Sequence, residues 1–310
     1  MKSLKNLQPK NWNIPLNKKQ YDAEINRKKP SAIMIMIDQS GSMGFAKQKY
    51  KGEMQSYAEI VSDMINGLLN ELIGRCTKSE GVRDYFNVCV LGYGGQSGTK
   101  ANILWEGNLS GKDWVSISEL KANASYEEKT IVRTIRGVNK PATIEVPYWF
   151  KPLAKHQTPM GNAFDKAHKL LSDWIQKHDG SYPPVLINIT DGVQTDCDDD
   201  TLVESAQKVQ ALNTKDGYAL VLNCHISGKD DRQVIFPLSD NELPDDEYSQ
   251  RLYEMSSVMP ASFNVDIARL RNDADTFINY RGMSFNTSVD ALLNFIDIGT
   301  SGSTQRLSGV

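Results

Sequence analysis

A series of carboxylate and hydroxyl residues directly follows an apolar segment near the start of the chain. Residues 32–37 are all apolar, and Asp38, Ser40 and Ser42 follow at alternate positions, with glycines that let the loop turn sharply. The carboxylate and the two hydroxyls are hard oxygen donors. Such donors, without histidine or cysteine, suit Mg²⁺, with Mn²⁺ and Ca²⁺ as alternatives, rather than Zn²⁺. The loop therefore indicates a site for a hard divalent cation.

Two later segments carry further oxygen donors. Thr158 stands before Pro-Met-Gly and a helical pattern, and Asp191 follows the mainly apolar run 185–190. Taken alone, the first loop is also compatible with a turn that caps the next helix. Three separate segments that each place an oxygen donor beside a predicted element are more specific than one. We therefore predict a metal site formed by Asp38, Ser40, Ser42, Thr158 and Asp191.

The elements that must position these residues are read from hydrophobic periodicity. Four nearly continuous apolar runs are typical of strands buried on both faces. They cover residues 32–37, 85–93, 185–190 and 219–226. Segments with helical spacing of apolar residues alternate with the strands. They cover residues 53–75, 163–178, 201–213 and 247–258.

This alternation predicts an α/β fold with a doubly wound, mostly parallel central sheet flanked by helices, which is a Rossmann-like architecture. In open sheets of this kind, ligands bind in the crevice beyond the carboxyl ends of the strands. Asp38 and Asp191 each follow a predicted central strand. If those strands are neighbours, both carboxylates face the same crevice.

Residues 99–150 do not fit the alternation of strands and helices. Thr130–Ile135 and Thr143–Phe150 alternate apolar and polar residues, which is typical of half-buried strands, and a turn with glycine and proline separates them. No composition typical of a linker flanks the segment. We interpret it as a β-rich insertion at one end of the sheet.

The remaining segments complete one domain of residues 30–298. Residues 1–29 are polar and predict an extended N-terminal arm, and residues 299–310 are rich in glycine and serine and predict a mobile tail. A short strand is expected at Thr276–Tyr280 and a closing helix at Val289–Ile298.

Composition limits the classes of partner. The chain has 310 residues, 40% of them hydrophobic, with a formal net charge of −3 and a mean hydropathy of −0.44. These values are typical of a soluble globular protein, and so mild a charge argues against nucleic acid or an anionic membrane as the main partner. No segment is long and apolar enough to span a membrane, and the first residues lack the pattern of a signal peptide. The expected location is therefore the cytoplasm, where the cysteines would be free thiols.

The three loops resemble those of a von Willebrand factor type A (vWA) domain with a complete metal-ion-dependent adhesion site. The resemblance rests on the segments Asp38-Gln39-Ser40-Gly41-Ser42, Thr158-Pro159-Met160-Gly161 and Thr190-Asp191-Gly192, and it covers about residues 32–298. It implies that the five predicted ligands surround one cation, with Mg²⁺ as the first choice and Mn²⁺ or Ca²⁺ as alternatives. It also implies a protein-binding module, not an enzyme, in which the cation bridges to a Glu or Asp carboxylate of a partner protein.

The second and third loops also resemble those of bacterial intracellular vWA proteins from tellurite-resistance and related stress or defence gene clusters. That narrower resemblance rests on Thr158-Pro159-Met160-Gly161 and on the run from Thr190 to Asp196. It implies a role in a bacterial stress, signalling or defence system. The insertion and the long stretch 227–272 depart from a minimal vWA domain.

A different class of function stays open at this point. Asp38 is also compatible with the nucleophile of a metal-dependent hydrolase or phosphotransferase on a doubly wound sheet. Such a site would need a second acid and a lysine nearby, and it would leave Ser40 and Ser42 without a role. No phosphate-binding glycine loop or dinucleotide fingerprint follows a predicted strand.

Two further features have alternative interpretations. The acidic run 196–200 is either a second cation site or the favourable negative charge at the start of the next helix. His156 precedes Thr158 by two positions and either touches a ligand or is an ordinary surface residue.

Overall fold

The computed structural model describes residues 21–135, 138–226, 233–277 and 279–286. The strands are β1 (Ser31–Asp38), β2 (Lys47–Tyr50), β3 (Glu53–Ser56), β4 (Thr77–Lys78), β5 (Gly81–Val82), β6 (Phe86–Gly94), β7 (Ser97–Ile103), β8 (Val115–Ser116), β9 (Ser125–Ile135), β10 (Val138–Tyr148), β11 (Val185–Thr190), β12 (Leu220–His225), β13 (Val234–Ile235) and β14 (Met283–Phe285). The helices are α1 (Ser42–Phe45), α2 (Tyr57–Arg75), α3 (Ile117–Ala122), α4 (Met160–Lys177), α5 (Asp199–Ala211), α6 (Glu247–Glu254) and α7 (Asn264–Arg271).

The largest sheet has the strand order β13-β14-β12-β11-β1-β6-β7, with β8 also paired to β6. The four central contacts, from β14 through β12, β11 and β1 to β6, are parallel, and the outer contacts are antiparallel. In the sheet, β6 lies on one side of β1, and the later strands β11, β12 and β14 lie on its other side. The predicted doubly wound, mostly parallel sheet is confirmed, and the junction of β1 with β11 is its topological switch point.

Both faces of β1 are buried, which explains its unbroken apolar run. Its odd-numbered isoleucines share a core with residues of α2, such as Ile65. Met34 and Met36, on the opposite face, share a second core with Phe164 of α4 and Leu202 of α5. A strand covered by helices on two sides buries every side chain, so its sequence shows no alternation.

Several boundaries differ from those predicted, and α2 is the clearest case. The helix was expected from residue 53, but β3 continues to Ser56 and the helix begins at Tyr57. The Ser56 hydroxyl accepts a hydrogen bond from the Glu59 N–H (3.3 Å), and the Glu59 carboxylate accepts one from the Ser56 N–H (2.7 Å). This reciprocal capping box starts the helix at that point.

The strand predicted at Thr276–Tyr280 is wrong. The described residues of that segment form no strand, and Thr276 and Phe277 are exposed. The place next to β12 is taken by β14, whose three residues are all buried. Residues of high β propensity form a strand only where a half-buried pleated surface receives them, and here the sheet offers that surface only to β14.

The β-rich insertion is confirmed, and it also contains the short helix α3. Strands β9 and β10 form a separate antiparallel hairpin that lies against α2. The Lys129 ammonium lies 2.7 Å from the Asp63 carboxylate, and the Trp149 N–H donates to the Asn66 side chain (2.9 Å). These contacts anchor the base of the hairpin on the helix.

Other expectations concern segments outside the described residues. These are residues 1–20 of the predicted arm, the closing helix at Val289–Ile298 and the tail 299–310. The four cysteines are free thiols, and three of them are buried, as expected. Among the residues that the structure describes, no helix has the length and apolar character needed to cross a membrane.

Candidate metal centre

The first loop begins with a buried carboxylate whose two oxygens are both held. Asp38 is the last residue of β1 and is fully buried. Its Oδ1 accepts a hydrogen bond from the Ser40 N–H (2.8 Å), and its Oδ2 accepts one from the Thr190 hydroxyl (2.7 Å). The neighbouring strand thus fixes the orientation of this carboxylate.

The hydroxyl groups of the first loop are hydrogen-bonded to each other and to the third loop. The Oγ atoms of Ser40 and Ser42 lie 3.0 Å apart, and the Ser42 hydroxyl donates to Asp191 Oδ1 at 2.8 Å. Asp191 follows β11, the parallel neighbour of β1. The first and third loops therefore meet at the switch point, as the sequence predicted.

The second loop brings Thr158 to the same place. A methyl-sized group built on the α-carbon of Gly192 would lie 3.5 Å from Ser42 Oγ, 3.9 Å from Thr158 Oγ1 and 4.0 Å from Asp38 Oδ2. Oxygens from three loops thus surround one small space, which a glycine in the third loop leaves open. Ser40 and Asp191 join this group through their contacts with the Ser42 hydroxyl, so the structure brings all five predicted ligand residues together.

The donor set fits a hard divalent cation. Two carboxylates and three hydroxyls supply only oxygen atoms, which Mg²⁺ and Mn²⁺ prefer. Within the described part of the chain, no group of three or more His, Cys, Asp or Glu side chains is placed to hold a metal. A cation at this site would therefore depend on Ser40, Ser42 and Thr158 as well as on the two aspartates.

Backbone hydrogen bonds join the first and second loops behind the side chains. The Gly41 N–H donates to the His156 carbonyl (3.1 Å), and the Lys155 N–H donates to the Gln39 carbonyl (2.8 Å). Gly94, at the end of β6, has a φ of +101°, and a Cβ there would lie 2.7 Å from the Gln157 carbonyl oxygen. Only glycine permits both this backbone conformation and this close approach of the loops.

A buried polar row that was not predicted from the sequence continues from the site along the sheet. The Tyr93 hydroxyl donates to Asn188 Oδ1 (2.8 Å), and Asn188 Nδ2 donates to Asn223 Oδ1 (3.0 Å). Next to the row, the Tyr248 hydroxyl donates to Thr190 Oγ1 (3.2 Å), and Thr190 in turn donates to Asp38. An asparagine inside an apolar strand was the available signal, because a buried amide needs partners.

Burial dominates the electrostatics of Asp38. It raises the pKa of this carboxyl to about 7 from 3.8, while the hydrogen bonds from Ser40 and Thr190 lower the pKa and the charge of Asp191 raises it. A divalent cation at the site would favour the ionised carboxylate. Cation binding is therefore expected to release a proton near neutral pH.

The acidic run has structural roles, in agreement with the second of its two interpretations. Asp196 accepts hydrogen bonds from the N–H groups of Gly161 (3.1 Å) and Asn162 (2.8 Å) at the start of α4. Asp198 caps α5 by accepting from the Thr201 N–H at 2.8 Å. Carboxylates at helix N-termini are stabilising because they satisfy free N–H groups and complement the helix dipole.

Thr195 is a positioning residue for Thr158. Its Oγ1 accepts from the Thr158 N–H (3.0 Å), and its own N–H donates to the Thr158 carbonyl (3.0 Å). We expect Thr195→Val to weaken Mg²⁺ binding about tenfold, since partners of metal ligands typically contribute that much. Thr195→Ser keeps the hydroxyl and should bind like the wild type in isothermal titration calorimetry. Equal affinities of the valine and serine variants would show that this bond does not position Thr158.

No protein-family model matches the chain, and no curated protein matches it. The structure is similar to a von Willebrand factor type A protein from Catenulispora acidiphila, at 14% sequence identity and a TM-score of 0.34 over 64% of this chain and 34% of that one.

Two further solved structures are similar to the chain. One is the manganese-loaded TRAP protein of Plasmodium vivax, at 18% identity and a TM-score of 0.32 over 63% of this chain and 57% of that one. The other is the vWF domain of the type V pili tip protein Mfa5 from Porphyromonas gingivalis, at 13% identity and a TM-score of 0.27 over 54% of this chain and 39% of that one. The chain thus spans from about a third to somewhat over half of the length of these three proteins.

Proposed function

We propose that this chain is a vWA-type protein-binding module in which a divalent cation bridges to an acidic residue of a partner protein. The observation that carries the proposal is the convergence of oxygen side chains from three loops at the junction of β1 and β11. The residues that would hold the cation are Asp38, Ser40, Ser42, Thr158 and Asp191. When bound, the cation would supply a Lewis-acidic position for one external anionic oxygen.

Charge balance supports a carboxylate as that external ligand. Asp38 and Asp191 together offset the two positive charges of Mg²⁺, and the three hydroxyl donors are neutral. The balance leaves the cation able to accept one more hard anionic donor, and carboxylate is a preferred one. A Glu or Asp of the partner is therefore the natural bridging residue.

The surface beside the site supports a protein as the partner. Phe45, which ends α1, is 87% exposed, and Val193, two residues after Asp191, is 51% exposed. Both belong to segments that also supply proposed ligands. In the proposed complex these two side chains would offer apolar contact area to the partner beside the cation.

A binding role is favoured over catalysis by Asp38. A nucleophilic aspartate must reach a substrate, whereas Asp38 is fully buried and both of its oxygens accept hydrogen bonds. We therefore propose that the chain is not an enzyme. The setting that we propose, a bacterial stress, signalling or defence system inside the cell, rests on the motifs of the second and third loops.

Direct cation binding tests the proposal. Electron paramagnetic resonance of Mn²⁺ should show one bound ion that Mg²⁺ displaces. Replacing Ser40 and Ser42 together by alanine should weaken binding about tenfold or more, because two direct ligands are lost. Ser110→Ala, an exposed serine outside the site, is the control. Absence of Mn²⁺ binding would contradict the proposal, and phosphatase activity that disappears in Asp38→Asn would support the hydrolase alternative.

A further inference from the structure

The hairpin of β9 and β10 has one face on the domain and one face in solvent. Lys129 contacts Asp63 of α2, and Ile144 and Val146 on the same face are half-buried. On the opposite face Tyr126 is 60% exposed, and Glu128, Thr130, Thr143 and Glu145 are exposed as well. An isolated two-stranded sheet is only marginally stable, so a further strand paired to one of its outer edges would stabilise the hairpin.

The outer edge of β10 is unsuited to pairing with another strand. Pro141 and Pro147 occupy ladder positions opposite residues 132 and 126, and proline has no N–H to donate. Proline is tolerated in a ladder only where its nitrogen points away from the neighbouring strand. Trp149, just beyond β10, is separated from Pro147 by two positions, so its backbone groups point to the same side as those of the prolines. Its N–H donates to Asn66, and its carbonyl accepts from the Glu106 N–H, both away from β9.

The outer edge of β9 is the opposite case. The backbone nitrogens of the two prolines point away from β9, so the backbone N–H and C=O groups of the residues opposite them point away from β10. The same holds for every second residue of β9, which gives residues 126, 128, 130, 132 and 134. No proline occurs in β9. In an antiparallel ladder such residues form the non-hydrogen-bonded pairs, so their N–H and carbonyl groups point away from β10. A row of outward donors and acceptors at a sheet edge is a template for another strand.

We infer that β9 pairs antiparallel with β9 of a second copy of this chain, to form a four-stranded sheet across a twofold axis. Thr130 is the middle residue of β9 (Ser125–Ile135), so a register centred on it pairs the strand over its full length. All five outward-facing residues of each copy then lie opposite outward-facing residues of the other. A twofold axis requires such a self-complementary edge.

Charge is also self-complementary in this register. Position 127, a glutamate whose carboxylate also lies 3.0 Å from the Lys129 ammonium of its own strand, would lie opposite position 133 of the second copy, an arginine, and the symmetry repeats the pair. Positions 125, 126, 128 and 129 lie opposite uncharged residues. Opposite charges on directly opposed positions stabilise antiparallel pairs, and like charges there would destabilise them. A register shifted to place Glu128 at the axis would oppose two glutamates instead.

The dimer is expected to depend on concentration and not on divalent cations. Pairing through one strand edge alone is expected to bury less than the about 1,200–2,000 Å² of a standard stable interface, so dissociation should be measurable. None of the proposed metal ligands lies in the hairpin. Dimerisation that persists in EDTA therefore separates this inference from the proposed function.

Sedimentation velocity of the full chain, from low micromolar to near-millimolar concentration, tests the pairing. The wild type should shift from monomer to dimer. Thr130→Pro removes an outward N–H of β9 and should stay monomeric, whereas Thr143→Pro places the same change directly across the ladder on the outer edge of β10 and should still dimerise. A wild type that remains monomeric, or two proline variants that behave alike, would overturn the inference.

Charge exchange tests the register without proline. Glu127→Arg should weaken dimerisation, and the double variant Glu127→Arg with Arg133→Glu should restore it, because the opposed charges are exchanged as a pair. Thermal melting checks that each variant is folded. If the double variant dimerises no better than the single one, the register centred on Thr130 is wrong.

Discussion

Protein stripped of divalent cations should lose stability as the pH rises from about 4 to about 7, and Mg²⁺ should restore it. The folded state raises the pKa of Asp38 from 3.8 to about 7, chiefly through burial. A carboxyl with a raised pKa favours folding fully below pH 3.8, and this contribution is lost as the pH rises through 7. At 1.36 kcal/mol per pKa unit, the loss is on the order of 4 kcal/mol.

The measurement is a set of chemical denaturation curves at several pH values, in EDTA and in Mg²⁺. Cation binding to the folded state alone adds stability by linkage, most strongly at pH 7 and above, where Asp38 is ionised. Asp38→Asn has no such proton to release, so its stability in EDTA should be less dependent on pH than that of the wild type. The variant should also lack the Mg²⁺ response. If Mg²⁺ leaves the free energy of unfolding of the wild type unchanged at pH 8, this would contradict a cation site at Asp38.

Partner binding should require the cation and one acidic residue of the partner together. In the proposed bridge, the cation holds the partner's carboxylate, and Asp191 helps to hold the cation. Asp191→Ala and EDTA should each weaken binding by about tenfold or more, as expected when one member of a charged contact is lost. Their combination should weaken it no further, because both remove the same ion.

A partner captured from native lysate in Mg²⁺ and released by EDTA provides the reagent for this measurement. Surface plasmon resonance then compares the wild type, Asp191→Ala and Asp113→Ala, an exposed aspartate outside the site that serves as control. Neutralising the partner's acidic residues one at a time should single out one dominant position. A complex that forms equally well in EDTA would place the interface elsewhere on the domain.

The sequence determined the sheet and the chemistry of the site because both have local signatures. The apolar runs of β1 and β11 indicate strands covered on two faces, and parallel strands bring their carboxyl ends to one edge. Asp38 and Asp191 directly follow these two runs, so their carboxylates were expected at that edge. Hydroxyls at alternate positions and a hydrophobic helix pattern after Thr158 completed the prediction.

The sequence was misleading where a pattern is compatible with more than one environment. Thr276–Tyr280 has the composition of a strand, but β14 occupies that place in the sheet. The β2–β3 hairpin is polar and mostly exposed, so hydrophobic periodicity could not reveal it. Helix α7 was missed for a related reason, since only three of its residues are buried. At Thr276–Tyr280 propensity alone did not decide the structure, because the place in the sheet next to β12 is filled by β14.

Only the tertiary structure decided how the site is held. Thr190 donates to Asp38 across 152 residues of chain, and Thr195 anchors Thr158 across 37. Gly94 is required because its φ is +101° and because two other loops approach its α-carbon. Hydrogen bonds between distant segments leave no periodic pattern in the chain, since their partners become neighbours only when β1, β6 and β11 pack side by side. The residue types of the candidate metal site are thus local information, whereas their orientation belongs to the fold.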